Sequence, residues 1–450
     1  MGLSIPDTFR GEVVRPSDSA YDELRQVVAG DVDKRPAVIL RPVDAADVAT
    51  ALAVARESGL PLAVRCGGHS GAGHSAVDDG IVLDVRNLKT LEIDATGKTA
   101  WAGSGVTAGE YTAAAGEHGL ATGFGDTGSV GLGGLTVGGG IGFLVRKFGM
   151  TIDNLLAAEV VTADGRIHHV DAESDPDLFW AIRGGGGNFG VVTKFRYRLH
   201  ELGDFVGGML IQPATPEVVG GVLQIVSSAP EELSAIVNVM AAPPSPFIPE
   251  EAHGKLIVMT LLGYAGPAAE AEKILGPLRA LATPITDTVH PMAYAEMFPP
   301  EDASYRPTAV GENMFVDSVD DAAVETILKQ LTECDAPMRV AQIRPLGGAM
   351  ARIPADATAF AHRDAAYMVN LAALYTSPAD RIAKHEWVTS FRDQLETGMP
   401  RAYVGFVGDE DNPERVRAAY PGATYDRLAA LKRQHDPENL FRRNQNIPPA

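Results

Sequence analysis

Residues 60–71 read Leu60-Pro61-Leu62-Ala63-Val64-Arg65-Cys66-Gly67-Gly68-His69-Ser70-Gly71. A short apolar run ends at Arg65, and two glycines then turn the chain and present a histidine. Upstream, Ala37–Pro42 (AVILRP) is a second short strand, closed by proline. Between the two, Asp44 heads a segment in which Val48, Leu52, Val54 and Ala55 recur at helical spacing, and Gly59 ends it. The order is therefore β-α-β. The Cys66–Gly71 turn lies at the carboxyl end of the second strand, where α/β units bind ligands.

Downstream, Ile81–Asp84 reads as a strand, and Thr90–Ile93 with Thr99–Ala102 as a hairpin around Ala95-Thr96-Gly97. Ala108–His118 is predicted to be a helix. Gly123 to Gly142 then holds ten glycines in twenty positions, interleaved with Val130, Leu132, Leu135, Val137 and Ile141. Those apolar residues argue against a low-complexity linker. The stretch reads as a tight ordered loop whose backbone N–H groups approach a ligand closely. Ala157–Ala163 and Ile167–Asp171 form another hairpin, Asp175–Ile182 a short helix and Val191–Leu199 a strand.

At 450 residues the chain is long enough for two or more domains of about 150 residues. After Leu202 its texture changes. Proline joints (Pro243, Pro244, Pro246, Pro249, Pro299, Pro300) separate strands such as Lys255–Tyr264 and Met338–Arg344 from helices such as Pro267–Ala280 and Ala322–Glu333. We therefore expect three parts: 1–204, a second domain at 205–395, and a tail at 396–450 that packs back on the first. The tail carries a helix, Tyr425–Gln434, and an extended segment, Asp436–Phe441.

Composition excludes several classes. With 45% apolar and 21% charged residues the chain is globular rather than disordered or fibrous. A net charge of −20 argues against nucleic acid or an anionic membrane as partner. Two cysteines, Cys66 and Cys334, cannot build a disulfide framework or a four-thiolate metal site. No run of ~18 apolar residues exists, so no membrane span is expected. The N-terminus lacks a secretory pattern, and Pro6 occupies the position at which a Met1-Gly2 myristoylation signal needs Ser or Thr. A cytoplasmic location is expected.

Several tempting motifs fail on context. Gly103-Ser104-Gly105-Val106-Thr107-Ala108 has dinucleotide-fingerprint spacing, but its strand is the second arm of a hairpin. Gly185-Gly186-Gly187-Asn188-Phe189-Gly190 runs into a strand, so no helix N-terminus awaits a pyrophosphate. His168-His169 sits on a strand whose faces alternate, which makes a poor chelate, and no metal site is expected. No G-x-S-x-G elbow or Walker loop occurs.

What remains is RCGGHS (Arg65–Ser70), GSVGLGGLTVGGGIGFLVRKFGMTIDNL (Gly128–Leu155), DPDLFWAIRGGGGNFGVVTKF (Asp175–Phe195) and DPENLFRRNQNIP (Asp436–Pro448). In content and order these stretches resemble the berberine-bridge-enzyme-like FAD-linked oxidases of the vanillyl-alcohol oxidase / p-cresol methylhydroxylase superfamily. The resemblance implies an α+β fold. A two-subdomain FAD-binding domain of vanillyl-alcohol oxidase type would be joined to a substrate domain whose antiparallel sheet is covered by helices. It implies FAD bound covalently through His69. Thr127-Gly128-Ser129-Val130-Gly131 aligns with the C-P-T-V-G motif of relatives that make a second, cysteinyl bond, so Thr127 leaves a single attachment. Arg65, Gly67, Gly68 and Ser70 flank His69 as cofactor-binding residues by the same resemblance. So do Thr127, Ser129, Gly131 and Gly134, then Gly138, Gly139 and Gly140, and finally Val191 and Asn446. Val130 holds the family's oxygen-gate position. Cys66 is expected to pack as a small hydrophobe.

Arg401-Ala402-Tyr403-Val404-Gly405-Phe406 is similar to the family's Y-x-N-[YF] strand, which makes Tyr403 the candidate catalytic base, with Gly405 in place of asparagine. His362-Arg363 resembles the F-x-H-R stretch before a substrate-facing strand, Ala366–Tyr375, in which Tyr367, Asn370 and Tyr375 receive no roles. The expected activity is hydride transfer from a small alcohol, amine or natural-product C–H to the flavin, with O2 as oxidant. Ring closure could follow the same first step. The partners implied are a small-molecule substrate and O2, and the chain would be a monomer or homodimer. Two rivals stand: an oligosaccharide or aldose oxidase, and a flavin-binding protein without catalysis.

Overall fold

A computed structural model describes residues 3–302, 304–408 and 412–450; the Met1-Gly2 pair lies outside them. The β-α-β opening forms as expected. Asp44 caps the helix Ala45–Ser58 by accepting the N–H of Asp47, and Gly59 closes it at φ 67°, its N–H on the Ala55 carbonyl. Strands Val38–Arg41 and Leu62–Arg65 do not pair with each other. Both run parallel to Ile81–Asp84, which lies between them, while Glu12–Val14 adds an antiparallel edge.

A second, antiparallel sheet takes the order Leu91–Asp94, Thr99–Gly103, Val191–Arg198, Leu155–Val161, Ile167–Asp171. Its core is aromatic: Tyr111, Phe124 and Tyr197 meet edge to face with centroids 4.8–5.6 Å apart.

The glycine-rich stretch is not all loop. Leu132–Gly138 is a helix, despite its three glycines, Gly133, Gly134 and Gly138. Leu132 and Thr136, one turn apart, are both fully buried, so tertiary packing overrides propensity. Gly139 (φ 136°) and Gly140 (φ 80°) then stop the helix in a conformation that L side chains rarely adopt.

Residues 206–374 build the third layer, an antiparallel sheet. Thr286–Asp287, Val206–Pro213, Leu256–Tyr264, Leu233–Ala241, Arg339–Pro345, Tyr367–Leu374 and Ala309–Val316 follow in that order, and His290–Pro291 also pairs with Val206–Pro213. Helices Pro216–Ser228, Ala268–Arg279, Asp321–Glu333 and Pro378–Leu395 cover one face, where Val222, Val226, Ile327 and Phe391 bury against Val237, Ile343 and Leu371. The fold is α+β, with a substrate-type antiparallel sheet set against a two-sheet unit.

Buried cations lock the parts together. Arg146 donates to the carbonyls of Val226, Leu233 and Ala229 at 2.8–2.9 Å, tying the first part to a helix and strand of the large-sheet layer. Arg363 grips Asp153 with both terminal nitrogens, at 2.7 and 2.8 Å. In the tail, the helix Ala423–His435 carries Lys432, which is fully buried. Its ammonium donates to Asp436 at 2.6 Å and to the carbonyls of Asn188 and Phe441 at 2.9 Å. Removing the ammonium strands a buried carboxylate. Lys432→Met is therefore expected to destabilise the chain by about 3–5 kcal/mol. Denaturant unfolding would measure this, with exposed Arg433→Met as control; a loss below ~1 kcal/mol, the range of a surface pair, would contradict it.

Candidate active site

The strand Leu62–Arg65 delivers the Cys66–Ser70 turn to one wall of a cavity of about 410 Å³. Of the residues expected to hold a cofactor, Gly67, Gly68, His69, Ser70, Thr127 and Val130 line it. Gly131, Gly134, Gly138, Gly140 and Val191 line it as well, together with Tyr403, Phe406 and Arg344.

Four expected residues are placed otherwise. The Arg65 guanidinium turns away, donates to the Leu24 carbonyl, and has its pKa lowered to about 10 by burial. Ser129 stands behind His69, its hydroxyl oxygen 3.0 Å from Nε2. Gly139 backs onto the Tyr403 ring, where a Cβ would come within 3.1 Å of Cε2. Asn446 lies beyond the cavity rim, which Arg443, Asn444 and Gln445 form instead; its buried amide oxygen has no hydrogen-bond partner.

The walls suit a flavin nucleotide. A Cβ at Gly134 would meet no protein atom within 4 Å, so the space it faces is the cavity itself. The buried Ser75 hydroxyl on the wall has no hydrogen-bond partner among the described residues, a ready donor for a bound group. Cys66 donates its thiol to the Ser104 carbonyl at 2.8 Å, and burial raises its pKa, so it packs and stays a thiol. The rival dinucleotide turn is closed. Thr107 and Glu110 cap the helix Ala108–Gly116 reciprocally and occupy the N–H groups a phosphate would need. Among the described residues, no group of three His, Cys, Asp or Glu side chains is placed to hold a metal, and no helix is long and apolar enough to cross a membrane.

Tyr403 does not sit on a strand. Val404–Phe406 is a single 3-10 turn, and Tyr403 is held by its N–H donating to Asn313 Oδ1 at 2.6 Å. A Cβ at Gly405 would come within 2.9 Å of the Tyr403 ring, so the glycine found here is what lets the ring fold back over the turn. The phenol oxygen accepts the Gly140 N–H at 2.8 Å. Burial raises the phenol pKa; the Gly140 N–H and the positive charge of Arg344 oppose that rise.

Sequence reasoning missed Arg344 and Asp126, which pair at 2.6 Å across 218 positions beside Tyr403. Arg344 also donates to the Ile141 carbonyl at 2.8 Å and to Gln342. The only local signal was a buried arginine near the end of a partly buried strand. His362 and Arg363 lie outside the cavity: His362 bonds the Ala418 carbonyl at 2.8 Å and Arg363 pairs with Asp153. Tyr367 meets Ser227 and Tyr375 meets Asp31, each hydroxyl serving packing between elements.

A glycine-walled cleft with a presented histidine at one side and a buried tyrosine at the other defines a flavin-dependent oxidoreductase. Residues 36–171 match the FAD binding domain family and residues 402–448 the berberine and berberine-like family. (R)-6-Hydroxynicotine oxidase of Paenarthrobacter nicotinovorans is 31% identical, over 99% of this chain and 98% of its own length. The crystal structure of 6-hydroxy-D-nicotine oxidase from Arthrobacter nicotinovorans superposes with a TM-score of 0.87 at 29% identity, covering all of both chains. Physcomitrella patens BBE-like 1 has the same fold, with a TM-score of 0.87 at 23% identity over 98% of each chain. The chain belongs to the berberine-bridge-enzyme-like FAD-linked oxidoreductases.

If the glycine wall is the flavin seat, Gly134→Val should push methyl groups into it and lower FAD retention, by about tenfold for ~1.4 kcal/mol of lost fit. Gly116→Val, at an exposed position, should leave it unchanged. FAD titration of both variants in a His69→Ala background, where no bond can form, measures the affinity, and equal affinities would place the flavin elsewhere.

Proposed function

We propose that the chain is a covalent FAD oxidase, taking a hydride from a small organic substrate at a C–H next to oxygen or nitrogen or at a benzylic position. FAD, when bound, supplies the two-electron acceptor and passes the electrons to O2 to give H2O2. His69 would hold it by one bond, since Thr127 lacks the thiol for a second. Gly134, whose missing Cβ faces open space, and Gly138 would let the backbone come close to it.

Tyr403 is the proton acceptor in this reading, and its placement carries the proposal. Its phenol faces the cavity that His69 also lines, with the Gly140 N–H aimed at the oxygen. That donor stabilises charge developing there, as an oxyanion-hole amide does. Burial raises the phenol pKa, so the ionised fraction is the form that accepts the proton from the substrate oxygen or nitrogen. Arg344, fixed by Asp126, Gln342 and Ile141, holds a positive charge on the same wall and favours the same direction. The single attachment at His69 favours this reading over a sugar oxidase with two flavin bonds.

Three outcomes are expected. Acid precipitation should leave flavin on the pellet and the intact mass should exceed that of the chain by one FAD; His69→Ala should release free FAD. Tyr403→Phe should slow anaerobic flavin reduction by about a hundredfold or more while FAD stays bound. In the unmodified chain, reduction should quicken as pH rises, because the ionised fraction of a raised-pKa phenol grows tenfold per pH unit below that pKa. A flat profile, or an unimpaired Tyr403→Phe, would remove tyrosine from the role.

Val130 lines the cavity at the family's oxygen-gate position, and its short branch would leave room beside a bound flavin. Val130→Leu should slow reoxidation by about tenfold, ~1.4 kcal/mol of barrier, with little change in reduction. Stopped-flow measurement of both half-reactions decides it. Equal slowing of both, or of neither, would mean that Val130 only packs the loop.

A further inference from the structure

Behind His69, on the side away from the cavity, stands a carboxylate that no motif announced. Glu301 follows Pro299-Pro300 in the segment between two strands of the large sheet, 172 positions from Ser129. The segment packs on the first part of the chain at several points. The Gly30 N–H donates to the Pro307 carbonyl at 2.9 Å. Phe298 packs edge to face on Phe143 and Tyr294 and lies over Gly128, where a Cβ would meet its Cβ at 3.1 Å.

Glu301 grips Ser129 with both oxygens: Oε1 accepts the Ser129 backbone N–H at 3.1 Å and Oε2 accepts its hydroxyl at 2.7 Å. The Ser129 oxygen in turn lies 3.0 Å from His69 Nε2. Donor inventory fixes the directions. A carboxylate only accepts, so the serine hydrogen is committed to Glu301, and the serine oxygen can meet Nε2 only as an acceptor. Nε2 therefore carries a hydrogen. A neutral imidazole has one, which leaves the lone pair on Nδ1. Nδ1 has no hydrogen-bonded protein partner among the described residues. Burial lowers the His69 pKa, which keeps the ring neutral and nucleophilic, while Glu301 opposes the shift.

We infer that Glu301, acting through Ser129, is the positioning and proton-accepting group for covalent attachment of FAD to His69. The inference rests on the covalent reading above. Once the 8α methyl carbon of FAD has lost a proton to solvent water, the Nδ1 lone pair forms the N–C bond to it. The electron pair left by that proton reduces the ring by two electrons. The new bond makes Nε2–H acidic, and its proton passes to the Ser129 oxygen while the serine hydrogen moves to Glu301. O2 then takes the two electrons and two protons as H2O2. The hydrogens lost, one from the methyl carbon and one from His69, are the two that leave in that product. Because Glu301 arrives on the segment joined to the large sheet, attachment is tied to docking of that sheet on the flavin seat.

The test uses full-length chain produced under riboflavin limitation and then incubated with FAD in air. Intact mass gives the covalent fraction with time, and acid release gives the FAD bound without a bond. Ser129→Ala and Glu301→Gln should each slow attachment by about tenfold or more while still binding FAD non-covalently. Ser129→Thr, which keeps the hydroxyl, should attach near the unmodified rate. The Glu301→Gln defect should shrink as pH rises and solvent base replaces the carboxylate; a merely structural defect would not move with pH. Attachment at the unmodified rate in both Ser129→Ala and Glu301→Gln overturns the relay, as does a pH-independent defect or a parallel loss of non-covalent FAD. An unmodified chain that never attaches FAD overturns the covalent reading itself, a result distinct from any of these.

Discussion

A Cβ at Gly131 would collide with the Cys66 sulfur, and the site depends on that missing carbon. A Cβ at Gly67 would likewise come within 2.7 Å of the Gly131 nitrogen. Two loops some sixty residues apart thus pack backbone against backbone, one at the end of a parallel strand and one leading into the helix Leu132–Gly138. That contact puts His69 and Val130 on the walls of one cavity and Ser129 behind the imidazole. Glycine costs roughly 0.5–1 kcal/mol per position in lost chain entropy. The offset is local: Leu132 and Thr136 on the same stretch are fully buried, and Thr136 bonds the Tyr197 hydroxyl at 2.7 Å in the aromatic core.

What the sequence made legible is what depends on neighbours in the chain. Asp44 as a cap, Gly59 as a stop, the hairpin around Ala95-Thr96-Gly97 and the second arm of that hairpin under the false dinucleotide turn all follow from short-range rules. The insertion of Ile81–Asp84 between the two opening strands does not, since strand order is set by long-range pairing. The helix inside the glycine run escaped because its propensity is poor and its stability comes from tertiary contacts, such as Thr136 with Tyr197 61 positions away. Arg65 misled for a different reason. Its backbone belongs to the turn, but its long side chain reaches back to the Leu24 carbonyl.

The candidate site divides along the same line. His69, Val130 and the glycines sit in contiguous motifs, and the family resemblance carried them. Arg344–Asp126 and Glu301–Ser129 span 218 and 172 positions, and each member alone is an ordinary charged or polar residue. The chain is strongly acidic, so a lone Asp or Glu carries almost no information. Only the docked sheets single these out, by placing one charge where the partner is already oriented.

His69 and Tyr403 mark the two polar sides of the cavity, and both are held from behind by groups on other elements. The Gly140 N–H meets the phenol oxygen and Asn313 fixes the Tyr403 backbone, while Ser129 and Glu301 hold the imidazole. Asn313 and Glu301 both belong to the stretch that includes the large sheet, whereas Gly140 and Ser129 belong to the glycine-rich loop. Neither polar group is fully positioned by one part alone. A chain whose large sheet had not docked would keep its glycine wall but lose the partners that orient the His69 imidazole and the Tyr403 phenol. Buried cations such as Arg146, which fastens the loop to that layer through three carbonyls, therefore act on chemistry they never touch.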